Sequence, residues 1–316
     1  MITLAILACT TPTPESQAPD PAATGPARPV ENVSVKLALN WYPEPEFGGF
    51  YEGVLGGHYA KAGFDVEILP GGPGAPTLEL LATGKVNAAI SAADDLLLKR
   101  NKGIRAIGVW PAFQLNPQGL MIHKALGYDG YEDVPAGSRI AIEVGSPFQA
   151  FLWNTYRWEG KVDPVPYGGQ VGPFLADPKM IQQAYITSEP CVAQAAGAEV
   201  SFLKASDAGW NPYGSLLTLS EPLPSWAGSF VEATHAAWEA YMADPRRANQ
   251  EIARLNPALT PEVLDCVTLA QTEFVTGQAG MGAMDANRWQ QVASTLQAQG
   301  LLPEQSSASE AWKALR

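Results

Sequence analysis

The chain has 316 residues, 46% of them apolar and 16% charged, enough to bury a core across two domains or lobes. Twenty basic against 32 acidic residues leave a net charge of −12. This excludes a binder of nucleic-acid phosphates or of anionic membranes, both of which need a basic surplus. His58, His123 and His235 and three cysteines are too scattered for a zinc framework, and no apolar run approaches the roughly 18 residues of a membrane-spanning helix.

The apolar stretch Met1 to Ala8 ends at Cys9. Ile6-Leu7-Ala8-Cys9 resembles a bacterial lipobox, whose cysteine receives lipid after the signal is cleaved. Residues 1–9 are therefore expected to be a signal remnant with Cys9 as the lipidation site. Residues 10–32 hold six prolines among Thr, Ala, Ser and Asp with no apolar period, the composition of a semi-rigid tether. An anchor, a tether and then a folded domain is the layout of an extracytoplasmic protein held at the outer face of a membrane.

From Val33 the chain alternates strands and helices. Strands are expected over 33–39, 64–69, 86–91, 104–110 and 120–123, with helices over 49–62, 77–83 and 93–102. A second run has strands over 139–144, 162–167, 183–186 and 200–203, and a helix over 147–158 capped by Ser146 with Pro147 at its first position. One more strand covers 215–219. Helices follow over 226–242, 244–254, 261–275 and 285–299, with a short last one over 308–315. Parallel strands joined by helices are expected, in two α/β lobes with chain crossings near 124–130 and 206–214. Two lobes with two crossings make a hinged clamp, and ligands of open α/β sheets sit at strand ends between lobes.

The first such loop places Trp41, Tyr42, Phe47 and Tyr51 beside Glu44 and Glu46. A flat aromatic solute stacks on such rings, and a carboxylate accepts from ring N–H or amino groups; alternatively the rings pack beneath the loop. Asp94 and Asp95 follow the third strand, as ligand acceptors or as a helix cap. Ser146 opens a helix whose free N–H groups suit a polar group, or is a plain cap. No Gly-x-Ser-x-Gly elbow, P-loop or His-Glu-x-x-His occurs, so no catalytic residue, cofactor or metal is expected.

The run Asn40-Trp41-Tyr42-Pro43-Glu44-Pro45-Glu46-Phe47-Gly48-Gly49-Phe50-Tyr51 resembles the signature of substrate-binding proteins of ABC importers for thiamine-precursor pyrimidines, within a superfamily that includes taurine, nitrate and sulfonate binders. Gly71-Gly-Pro-Gly74, Leu81-Ala-Thr-Gly84, Ala93-Asp94-Asp95 and Gly282-Ala-Met-Asp285-Ala-Asn-Arg288-Trp289 match further elements in order, so that the resemblance covers about 33–302. It implies a type II periplasmic-binding-protein fold, with lobe one over 33–123 and 214–316 and lobe two over 124–213. It implies a monomer that works with a permease and an ATPase in vitamin transport. Glu189, after a lobe-two strand, resembles a ligand-contacting position of the family. Trp210-Asn211-Pro212-Tyr213 resembles a turn of one branch: Trp210, Asn211 and Tyr213 close over the solute, shape the hinge, or both. Pyrimidine binders of the family carry histidine where Phe47 stands and asparagine where Glu44 stands, so a larger ring such as riboflavin suits the loop at least as well as a pyrimidine. A sensory receptor is the alternative within this fold; a sulfonate or nitrate binder needs a cationic cleft, and pyrimidine-making enzymes of similar fold carry a cysteine-rich stretch absent here. Cys191 and Cys266 are expected to be free and buried, since a bond between them would tie the lobes and restrain the hinge.

Overall fold

The computed structural model describes Met1 and residues 32–277 and 279–316. Cys9 and the tether residues 10–31 lie outside the described residues. The first run comprises β1 (Val33–Ala38), a 3-10 turn (Pro45–Phe47), α1 (Gly48–Leu55), α2 (His58–Lys61), β2 (Phe64–Leu69), α3 (Thr77–Ala82), β3 (Ala88–Ser91), α4 (Ala93–Asn101) and β4 (Ala106–Pro111). The second comprises β5 (Gln118–His123), β6 (Arg139–Ile142), α5 (Pro147–Tyr156), β7 (Asp163–Pro166), α6 (Gly172–Ala176), β8 (Ile181–Tyr185), α7 (Glu189–Ala195) and β9 (Val200–Lys204). After β10 (Leu216–Ser220) come α8 (Ala227–Ala243), α9 (Arg246–Leu255), α10 (Pro261–Thr276) and α11 (Ala286–Ala298).

Local chemistry accounts for many of these boundaries. Ser146 Oγ accepts from the Gln149 amide at 3.2 Å, and Thr260 repeats the device ahead of Pro261, accepting from Val263 at 3.3 Å. The single helix expected over 49–62 is broken, because Gly57 takes a left-handed φ of 72° that ends one turn and starts the next. The helix expected over 308–315 does not form. Gly108 on β4 instead exchanges backbone hydrogen bonds of 2.9 and 3.0 Å with Ala311 and Lys313, so this segment satisfies an open strand edge.

The strands form two five-stranded sheets, β2-β1-β3-β10-β4 and β7-β6-β8-β5-β9. Both are mixed rather than wholly parallel: β10 runs antiparallel to β3 and β4, and β5 to β8 and β9. Each arrives from the other sheet instead of through a crossover helix, so nothing holds it parallel. β5 lies inside the second sheet, which moves the first crossing to the stretch between Pro111 and Gln118, not near 124–130. The return crossing runs between Lys204 and Leu216.

Behind the first sheet, α1 lies against α8. A Cβ at Gly48 would sit 2.0 Å from the Tyr241 ring and one at Gly49 2.2 Å from Trp238. Glycine at both positions lets these buried rings rest on the α1 backbone, next to Phe50. This packing fixes the direction in which the loop before α1 leaves the sheet.

Arg288, from α11, clasps both crossings. Its guanidinium donates to the carbonyls of Gln114, Asn211 and Pro212 and to Asn211 Oδ1, and lies 3.7 Å over the Tyr213 ring. Asn116 ties the two stretches together, its backbone N–H donating to Asn211 Oδ1 and its side-chain amide to the Pro212 carbonyl. Arg288→Met keeps the aliphatic packing but takes away the guanidinium donors of the Gln114 and Asn211 carbonyls. We expect it to destabilise the protein by about 2–4 kcal/mol. Urea denaturation checks this; a midpoint equal to that of the unaltered chain would show that the crossings hold each other without the arginine.

Cys191 and Cys266 are bonded, contrary to the expectation of free thiols. α7 and α10 pack side by side, bringing their Cα atoms to 5.8 Å, within the usual disulfide range. The bond joins the start of a second-sheet helix to a helix whose Val263, Val267 and Phe274 sit in the first-sheet core.

Candidate functional site

The loop after β1 and the loop after β7 meet across the two sheets. Trp41 is half-buried, edge-on to Tyr42 at 5.4 Å and 64°. Tyr167, from the second sheet, lies parallel to Trp41 within 4°, with ring centroids 6.3 Å apart. Gly169, at φ 74°, follows closely; a Cβ there would come within 2.7 Å of the indole. Only a glycine lets this loop lie on Trp41 without strain.

Beneath the rings lies a group of carboxylates drawn from both sheets. Glu44 Oε2 accepts from Ser188 Oγ at 2.7 Å, a hydrogen bond between the lobes. Burial pushes its carboxyl up to about 7, against the opposing hydrogen bonds from Ser188 and Trp41. Glu189 accepts from the Tyr167 hydroxyl and, at 2.9 Å, from the Tyr185 amide. Burial, and then the neighbouring Glu44, lift it to about 8. Glu46 is 4% exposed, and burial followed by repulsion from Glu44 and Glu189 holds it well above the ordinary carboxylate range. Asp94, in the first turn of α4, is lifted to about 7 by burial and by Asp95, and its Oδ1 has no partner among the described residues. The Tyr185 hydroxyl is raised by burial and by Glu46, Asp94 and Glu143 together, which places it within the field of all three. Thr187 Oγ1, likewise buried, has no partner among the described residues.

The residues singled out in the sequence divide in two. Trp41, Tyr42, Glu44 and Glu189 come together where the two sheets meet, whereas Asp94 and the half-buried Asp95 stand in the first turn of α4. Phe47 and Tyr51 are buried in the core below the loop. Ser146 serves as the α5 cap. Trp210 is 2% exposed, lies against Phe148 and Phe151, and donates to Gln118. Asn211 belongs to the Arg288 clasp, and Tyr213 sits under that guanidinium with its hydroxyl accepting from the Asp285 amide. These contacts tie the 210–213 turn into the return crossing.

Sequence reasoning missed Tyr167, Ser188 and Tyr185 as members of the group and gave Glu46 no separate role. Tyr167 had a usable signal, since it stands at the end of an expected strand, where ligands of α/β sheets are met. Among the described residues no cluster of His, Cys, Asp or Glu has the arrangement to hold a metal ion.

A family model described as NMT1/THI5 like matches residues 44–248, well over half of the chain. The chain belongs to this family. The match begins at Glu44, so the carboxylates and both crossings of this NMT1/THI5-like protein fall inside it. The riboflavin-binding protein RibY of Chloroflexus aurantiacus is 26% identical, over 96% of this chain and 91% of its own. The formylaminopyrimidine-binding protein of Halalkalibacterium halodurans is 22% identical, over 89% and 90%. Among solved structures, the periplasmic aliphatic sulphonate-binding protein SsuA of Escherichia coli superposes with a TM-score of 0.66 at 14% identity, over 89% of this chain and 92% of its own. The similarity to SsuA is one of fold: two α/β lobes of the periplasmic-binding-protein type.

Proposed function

We propose that this chain is the extracytoplasmic solute-binding component of an ABC importer and takes a small flat heteroaromatic solute, an aminopyrimidine or a flavin, between its lobes. The observation that carries this is the parallel Trp41–Tyr167 pair, one ring from each sheet, directly beside the Glu44–Ser188 hydrogen bond. A planar ring held between two others needs about 7 Å between them, two contacts of about 3.5 Å each. The ring centroids are 6.3 Å apart, which bounds the spacing of the planes from above, so the lobes open to admit a ring between them. A solute touching both loops binds the closed arrangement better than the open one and shifts the population towards it. The permease reads that closed form, and no covalent chemistry is called for.

The printed names of two relatives, which bind riboflavin and formylaminopyrimidine, support the solute class. An acidic site disfavours sulfonate or nitrate. The Cys191–Cys266 bond suits an oxidising compartment outside the cytoplasm. In this reading the protein acts as a monomer, anchored through lipid on Cys9 with 10–32 as its tether.

Titration calorimetry of the purified chain with riboflavin and with formylaminopyrimidine tests the reading. One of the two is expected to bind with a dissociation constant in the micromolar range or below, about −8 kcal/mol or better. Binding of neither, by a folded protein, would overturn it.

A further inference from the structure

Two backbone crossings leave a pair of lobes free to rotate about them, and the Cys191–Cys266 bond lies away from both. α7 packs on β8 and β9, and its Ala193 belongs with Met121 and Ala184 to a small core of the second sheet. Cys191 is 4% exposed and, with Ile186 and Val192, lies against the first-sheet core that holds Val263, Val267 and Phe274 of α10. The bond is therefore a third connection between the lobes, carried by side chains rather than by backbone. Its distance from the crossings can be read along α10. The Phe274 carbonyl accepts from the amides of Gln114 and Leu115 at 2.6 and 3.2 Å, which pins the end of that helix to the first crossing. Cys266 lies eight residues earlier on the same helix, about 12 Å away at 1.5 Å per residue. Disulfides keep their Cα atoms within about 6.8 Å, so from 5.8 Å this one yields about 1 Å more, a rotation of about 5° at that distance.

We infer that the Cys191–Cys266 bond is a stop on lobe opening that raises the affinity for the solute. This rests on the solute-binding reading above, in which only the closed arrangement touches the solute from both lobes. The apparent dissociation constant is the intrinsic value divided by the fraction of protein in the binding-competent arrangement. The bond removes widely parted arrangements from the ligand-free ensemble, so that fraction rises. Its place on α7 makes the effect direct. Ser188, which donates to Glu44 across the lobes, and Glu189 open the same helix, so the stop holds the second-lobe side of the site within reach of the first.

The test compares the whole oxidised chain with Cys191→Ala combined with Cys266→Ala and, should that variant not melt cooperatively, with the unaltered chain reduced by dithiothreitol. Without solute, small-angle X-ray scattering is expected to give the bond-free chain a radius of gyration larger by about 0.5–1 Å, on about 20 Å for a folded chain of this length. In titrations with riboflavin and formylaminopyrimidine, whichever binds is expected to bind the bond-free chain about tenfold more weakly. Saturating solute is expected to bring the radius of that chain back to the value of the bonded one, which separates opening of the lobes from a general loosening of the fold. Equal radii of the ligand-free chains, a larger radius that solute does not reverse, or equal affinities would overturn the inference and leave the solute-binding reading standing. If the folded, oxidised chain binds neither probe, that reading falls and the effect on affinity with it, while the radii still decide whether the bond limits opening.

Discussion

Trp41→Ala is expected to weaken solute binding by about 30-fold to 1,000-fold while leaving the protein folded. The indole is half-buried, lies between Tyr42 and Tyr167, and comes from a loop outside the main core. Truncating an aromatic at the centre of a binding site costs about 2–4 kcal/mol, and each 1.4 kcal/mol is tenfold in affinity. A structural effect adds to the lost stacking: Gly169 loses the surface its loop rests on. Calorimetry gives the affinity, and a melting curve checks that the fold is intact. Unchanged affinity in a folded variant would place the solute elsewhere. A variant that fails to fold would make Trp41 a core residue, at odds with its exposure.

Replacing both bonded cysteines, Cys191→Ser with Cys266→Ser, is expected to cost about 4 kcal/mol of stability. The bond links residues 75 apart, and constraining an unfolded loop of that length removes entropy worth about 4.5 kcal/mol at 25 °C. That corresponds to a fall of roughly 10 °C in melting temperature. Urea denaturation of the oxidised protein, of the reduced protein and of the double variant should give one high midpoint and two similar lower ones. Three equal midpoints would mean that the helix packing alone holds α7 on α10. The bond also bears on closure. Glu189 lies in the first turn of α7, two positions before Cys191, so the tether limits how far that carboxylate moves from Glu44 as the lobes part.

The acidic site explains why Glu44 is a sensible departure from the asparagine found at this position in similar pyrimidine binders. An amide would donate as well as accept, and here Ser188 already supplies a donor. Phe47 has a different explanation. It is fully buried with Phe50 and Tyr51, so the change from histidine is read by the core rather than by the solute.

Much of this architecture was legible along the chain because it depends on neighbours in sequence. The alternation of Phe64 to Leu69 marks a strand, Ser146-Pro147 and Thr260-Pro261 open helices, and Gly48-Gly49 follows an aromatic loop in an order shared with a known family. The two-lobed fold followed from such local signals, and so did the choice of Trp41 and Glu44 for the candidate site. Other features depended on what residues far apart in the chain meet. β5 looked like the end of the first lobe until Tyr185 and Lys204 were seen to flank it. Residues 308–315 have a helical composition, but the open edge of β4 offered them hydrogen bonds instead. Cys191 and Cys266 bond because two helices pack so that the two cysteine Cα atoms lie 5.8 Å apart, which no spacing rule contains. Tyr167 and Glu46 join the site through a parallel ring pair and a shared electrostatic field, each spanning more than a hundred residues of chain. Backbone propensity and amphipathic period act over a few residues and can be read from sequence; stacking, charge repulsion and disulfide geometry act through space, so only the folded chain decides them.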